Sequence, residues 1–132
     1  MTGPPAASEA VLILFAHGAR DPAWADPFHR IVARVRGLHP QTRVELAFLE
    51  SMQPDLASVI ALLAPEFRRV SVVPLFLAQG GHLRKDLPRM VDSIRNDHPG
   101  LRIDVAPAIG DSEELTDAIA DWAFARYLDA GD

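Results

Sequence analysis

A single doubly wound α/β domain, with a four-stranded parallel sheet and helices on both faces, is the fold this sequence predicts. Three observations point to it. Strand-length apolar runs alternate with stretches of helical periodicity along the 132 residues. The first run, Val11-Leu-Ile-Leu-Phe-Ala16, contains no polar residue, the pattern of a strand buried on both faces. One half of the chain also resembles the other at a constant offset.

The elements follow in order. After Val11–Ala16, Gly18 and Arg20-Asp21-Pro22 mark a turn, and Phe28, Ile31, Val32 and Val35 recur at helical spacing between about Trp24 and Leu38. Arg43 to Leu49 reads as the second strand. Pro54 suits the first turn of a second helix, with Leu56, Val59, Ile60 and Leu63 on one face. Val70 to Phe76 is the third strand, ended by Gln79-Gly80-Gly81, and Leu87, Met90, Val91 and Ile94 give the inward face of a third helix from about Leu83 to Asn96. Arg102 to Ala106 is a short fourth strand. The last helix spans about Ser112 to Leu128, with Ser112 as N-cap and Glu113 and Glu114 in its first turn.

The repeat selects a topology. Leu38-His-Pro-Gln-Thr-Arg-Val-Glu-Leu-Ala47 matches Asp97-His-Pro-Gly-Leu-Arg-Ile-Asp-Val-Ala106 at an offset of 59 residues, which also lays Val11 on Val70 and Leu56 on Leu115. Two βαβα halves related by a twofold axis between strands 1 and 3 give the strand order 2-1-3-4. Right-handed crossovers then put two helices on each face. Ligands in such sheets bind beyond the carboxyl ends of the strands at the switch point, here between strands 1 and 3.

Composition bounds the function. The net charge of −5 argues against nucleic acid as the main partner, and the absence of cysteine removes disulfides and thiolate metal sites and suits the cytoplasm. Residues 1–10 read as a loose, disordered tail rather than a signal peptide, 11–128 as the domain and 129–132 as a C-terminal tail. No apolar run is long enough to span a membrane.

Two of the five histidines stand out. His39 and His98 precede prolines at predicted helix ends and read as structural, and His29 as a packing residue of the first helix. His17 and His82 instead lie beside glycine on loops leaving strands 1 and 3, so both belong at the switch point. Arg20, Arg84, Lys85 and Arg89 ring the same crevice, and in an acidic chain such a rim suggests an anionic small molecule. Glu50, at the end of strand 2, is a candidate third ligand or proton carrier. No dinucleotide-binding or P-loop glycine motif and no nucleophile elbow is present.

Leu14-Phe-Ala-His-Gly-Ala-Arg-Asp-Pro22 and Val73-Pro-Leu-Phe-Leu-Ala-Gln-Gly-Gly-His-Leu-Arg-Lys-Asp-Leu-Pro88 strongly resemble the short sirohydrochlorin chelatases of the class II chelatase group. Ala19 stands where that family usually has serine. The resemblance implies insertion of a divalent metal (cobalt or iron, in some relatives nickel) into sirohydrochlorin on the routes to cobalamin or sirohaem. The metal is then a substrate, and no organic cofactor is needed. It implies that the two catalytic histidines are His17 and His82. Beside them Glu50 stays a candidate metal ligand by its place at the end of strand 2, and Arg20, Gly80, Gly81, Arg84 and Lys85 are the candidate tetrapyrrole contacts, the three cations suiting the substrate's carboxylates. The resemblance also implies a homodimer, which an open crevice on so small a domain independently calls for. A non-catalytic tetrapyrrole or metal carrier of the same fold is the competing expectation, and an interaction module that has lost the site is a third.

Overall fold

The computed structural model describes residues 10–131; the expected tail over residues 1–10 falls outside them except for Ala10. Four parallel strands, β1 (Ala10–Ala16), β2 (Arg43–Phe48), β3 (Arg69–Pro74) and β4 (Arg102–Val105), form one sheet in the order β2-β1-β3-β4. The connecting helices are α1 (Asp26–Leu38), α2 (Leu56–Leu63) and α3 (Gly81–Asp97), and α4 (Glu113–Ala130) closes the chain. The predicted fold and strand order are those observed.

Three helix starts differ from expectation, each for a local reason. The Asp21 carboxylate accepts the Ala23 N–H at 3.0 Å and tightens Pro22–Ala25 into a 3₁₀ turn, so α1 begins at Asp26 rather than Trp24. Asp55 takes the N-cap of α2 by accepting the Ser58 N–H at 2.8 Å, which leaves Pro54 outside the helix. α3 starts at Gly81, two residues before Leu83, and so takes His82 into its first turn.

The sheet separates two apolar clusters. On one face Val11, Ile13 and Phe15 of β1 and Val70 and Val72 of β3 pack beneath α2 and α3, which contribute Leu56, Ile60, Leu63, Val91 and Ile94. On the other face α1 seals Val44, Leu46 and Phe48 of β2 with Val32. Burying one aliphatic side chain in such a layer stabilises by about 1.5–3 kcal/mol, so the first face dominates the stability.

The duplication is visible in side-chain detail. Arg36 Nη2 donates to the Val44 carbonyl at 2.6 Å, and its counterpart Arg95 Nη2 donates to the Ile103 carbonyl at 2.6 Å. Arg43 pairs with Glu45 as Arg102 pairs with Asp104. His39 and His98 end α1 and α3 with nearly the same backbone (φ −134°, ψ 69° and φ −133°, ψ 67°), and each carbonyl accepts the N–H three residues on at 3.0 Å. Both histidines therefore serve helix ends through their backbone.

One element breaks the symmetry. α2 buries Leu56, Val59, Ile60 and Leu63, whereas α4 buries no residue and packs appreciably only against the turn Ile109–Asp111 that precedes it. The expected arrangement of two helices on each face is thus met on one face only. No helix among the described residues is long and apolar enough to cross a membrane.

Candidate functional site

The carboxyl end of β1 and the chain leaving β2 are laced together. Leu49 N–H donates to the Ala16 carbonyl at 2.9 Å, and Glu50 N–H donates to the His17 carbonyl at 3.1 Å. Gly18 follows with φ +95°, and a Cβ there would sit 1.9 Å from the Glu50 carbonyl oxygen. Only glycine permits this conformation and this approach. Ser51, at φ 64°, then turns the chain back, and Phe48 N–H donating to the Pro54 carbonyl at 2.9 Å closes the loop onto α2.

These constraints set two side chains together. His17 Nε2 lies 3.5 Å from Glu50 Oε1, with the side chains 50% and 58% exposed. At that exposure the pair adds little stability, so its value is chemical. An imidazole nitrogen and a carboxylate oxygen facing solvent can share a proton or hold two positions of a divalent ion. The His17 ring meets Phe76 edge-on, with centroids 6.2 Å apart at 78°, and Phe76 in turn packs on Phe15 at 5.4 Å. The repeat already makes Phe76 the counterpart of His17, 59 residues on; its contact with the His17 ring is what the structure adds.

His82 is exposed in the first turn of α3, behind the extended N-cap Gly80, which makes no side-chain capping bond. The first-turn N–H groups there face outward and favour anions. A Cβ at Gly80 or Gly81 would meet nothing within 4 Å, so internal packing does not require either glycine. Arg84, Lys85 and Arg89 are exposed along the same helix, and Arg20 is exposed beyond His17. None of these four cations is ion-paired among the described residues.

The structure therefore brings His17 and Glu50 together but does not join His82 to them. Among the described residues no group of three or more His, Asp or Glu side chains is placed to hold a metal ion. Two protein donors leave most of the coordination sphere to water or to another ligand. That suits an ion in transit better than a resident structural ion, whose site is closed by protein ligands. A hollow lined by Phe67, Arg68, His98 and Leu101 lies at the opposite, amino end of β3 and β4, away from these donors.

The profile of the CbiX family matches residues 11–124, most of the chain. This chain belongs to the CbiX family. Among CbiX relatives, the sirohydrochlorin cobaltochelatase of Saccharolobus solfataricus is 30% identical over 119 residues, covering 82% of this chain and 88% of that one. The crystal structure of the CbiX protein from Marinobacter aquaeolei VT8 superposes with a TM-score of 0.78 at 31% identity, over 90% of this chain and 98% of that one. SirB from Bacillus subtilis, solved with Fe3+, shares the fold, with a TM-score of 0.71 at 21% identity over 86% of this chain and 45% of that one.

Proposed function

We propose that this CbiX-family chain is a chelatase, a lyase that inserts a divalent metal into sirohydrochlorin in tetrapyrrole biosynthesis. Cobalt is the first candidate, since the Saccharolobus relative is named a sirohydrochlorin cobaltochelatase; iron, nickel and the sirohaem branch are the finer alternatives. The observation that carries the reading is the pairing of His17 with Glu50 at the carboxyl end of β1; Arg20, which follows it, and Arg84, Lys85 and Arg89 on α3 are exposed and without an ion pair among the described residues. Insertion releases two pyrrole protons for each divalent ion taken up. His17 Nε2 and Glu50 Oε1 can each donate a lone pair to the incoming ion and accept a proton once it has moved on. Arg20, Arg84 and Lys85 supply charge for the substrate's carboxylates, and Gly80 and Gly81 leave room for a flat ring to approach the α3 N-terminus. His82 acts from that side as the second proton acceptor or ligand.

In this reading the protein works in the cytoplasm as a homodimer, because one domain exposes the whole site to solvent. Anaerobic turnover with sirohydrochlorin and cobalt or ferrous ion, in the parent and in His17→Ala and His82→Ala, tests it. Loss of turnover in both variants is the expected result; parental rates in both overturn the residue assignment. Stoichiometric binding of the tetrapyrrole with no faster insertion identifies a carrier instead.

A further inference from the structure

α4 carries Leu115, Ile119, Trp122, Phe124, Tyr127 and Leu128, yet none of its residues is buried, and Trp122 and Tyr127 are 63% and 68% exposed. Leu115, Ile119 and Trp122 fall on one side of the helix, while Phe124, Tyr127 and Leu128 lie on others. A helix that is apolar on several sides is built for enclosure.

The sheet shows a matching gap. Across the α1 face, the row Leu46, Leu14, Val73 begins buried on β2 and ends partly open on β3; so does the row Val44, Leu12, Ser71. On the opposite face of β3, Val70 and Val72 are fully buried. α1 covers only half of its face, and the other half, over β3 and β4, is where the fourth helix of a doubly wound domain belongs.

Two observations argue against this chain's own α4 closing that gap. Gly110 N–H donates to the Phe76 carbonyl at 3.0 Å, and a Cβ on Gly110 would sit 1.7 Å from the Leu77 carbonyl oxygen. Ser112 N–H donates to the Ile109 carbonyl at 3.1 Å, and Ser112 Oγ caps α4 through the Leu115 N–H at 3.3 Å. The exit direction of α4 is therefore fixed by a tight, bonded turn, and swinging it back breaks that turn.

Charge identifies the occupant. α4 bears Glu113, Glu114, Asp117, Asp121 and Asp129 against one cation, Arg126, which disfavours an anionic lipid surface. α1, which lies on the same face of the sheet as the gap, carries Arg30 and Arg34, both exposed and without an ion pair among the described residues. An acidic helix fits beside a basic one.

We infer that two copies of this chain exchange α4, each helix covering the half-face over β3 and β4 of the other copy and lying along its α1. The exchange goes beyond the homodimer proposed above by assigning the contact that makes it.

Trp122 reports the outcome directly. In Trp24→Phe protein it is the sole tryptophan, and its acrylamide quenching is read together with molar mass by light scattering across a dilution series. The expected result is a dimer with Trp122 shielded, and Trp122 becoming quenchable as the mass falls to that of a monomer. Trp122→Asp is expected to raise the dimer dissociation constant at least ~30-fold. A dimer in which Trp122 remains quenchable removes the exchange and leaves the pairing standing. A monomer at every concentration overturns both, whereas a monomer with Trp122 shielded shows the helix closed on its own sheet and overturns the exchange.

Discussion

The loops after β1 and β3 occupy equivalent places in the two halves, and the protein has built them in opposite ways. After β1 the chain is locked. Gly18 is pressed on the Glu50 carbonyl, Glu50 N–H is bound to His17, and the His17 ring rests on Phe76. After β3 the equivalent of His17 is that same Phe76, buried at 3% exposure, and the histidine comes six residues later in the first turn of α3. A Cβ on either glycine before it would meet nothing within 4 Å. One histidine thus has its place dictated by the fold, and the other stands where the fold leaves freedom. A restriction at Gly80 or Gly81 would have to come from what binds there, because the interior imposes none.

The largest expected effect comes from breaking the locked side. Gly18→Ala forces a Cβ into the Glu50 carbonyl at positive φ and should cost about 3 kcal/mol of stability in a denaturant titration. Next, His17→Ala and His82→Ala should each lower turnover about 100-fold or more, the contribution expected of a proton-transfer group, while melting temperature stays near the parent's. Glu50→Gln keeps the shape of the pair but removes its charge; we expect roughly tenfold slower turnover and no measurable change in stability, since the pair is exposed.

A smaller effect concerns the far end of the Glu50 loop. The Asp55 carboxyl is held below its ordinary value of 3.8 by hydrogen bonding from Ser58, its side chain first and its backbone N–H second. Because the folded value is the lower one, the cap contributes stability above pH 3.8 and loses it as pH falls through the folded value. Asp55→Ala should therefore cost about 1 kcal/mol at neutral pH, and the difference from the parent should vanish in acid. Gly81→Ala should be the mildest, within about 0.5 kcal/mol in stability, yet it should weaken sirohydrochlorin binding. Equal tetrapyrrole affinity in Gly81→Ala and the parent would remove Gly81 from the substrate site.

Much of this was legible in the residues. An uninterrupted apolar β1, four strand–helix alternations and a 59-residue offset were enough for the sheet order, because each reports a period or a burial pattern that local sequence encodes. The helix starts were less legible, since Asp21 and Asp55 act as caps only once the turns before them exist. Glu50 was readable as a residue within reach of the crevice, but its approach to His17 depends on the Gly18 contact across two strands. The placing of α4 was not readable at all. Leu115, Ile119 and Trp122 specify an apolar helix, and a helical period does not say which surface, or whose, will cover it.

The matched arginines have a consequence at the rims of the sheet. β2 and β4 are its two outer strands, where unsatisfied backbone groups ordinarily invite a foreign strand. Arg36 and Arg95 fasten their guanidinium groups to a backbone carbonyl on each, and Arg43–Glu45 and Arg102–Asp104 add a charged pair to both. An incoming strand would have to displace a guanidinium and desolvate an ion pair at either rim. Growth into ribbons or fibrils is thereby discouraged, even in a protein whose last helix leaves Trp122, Phe124 and Tyr127 exposed.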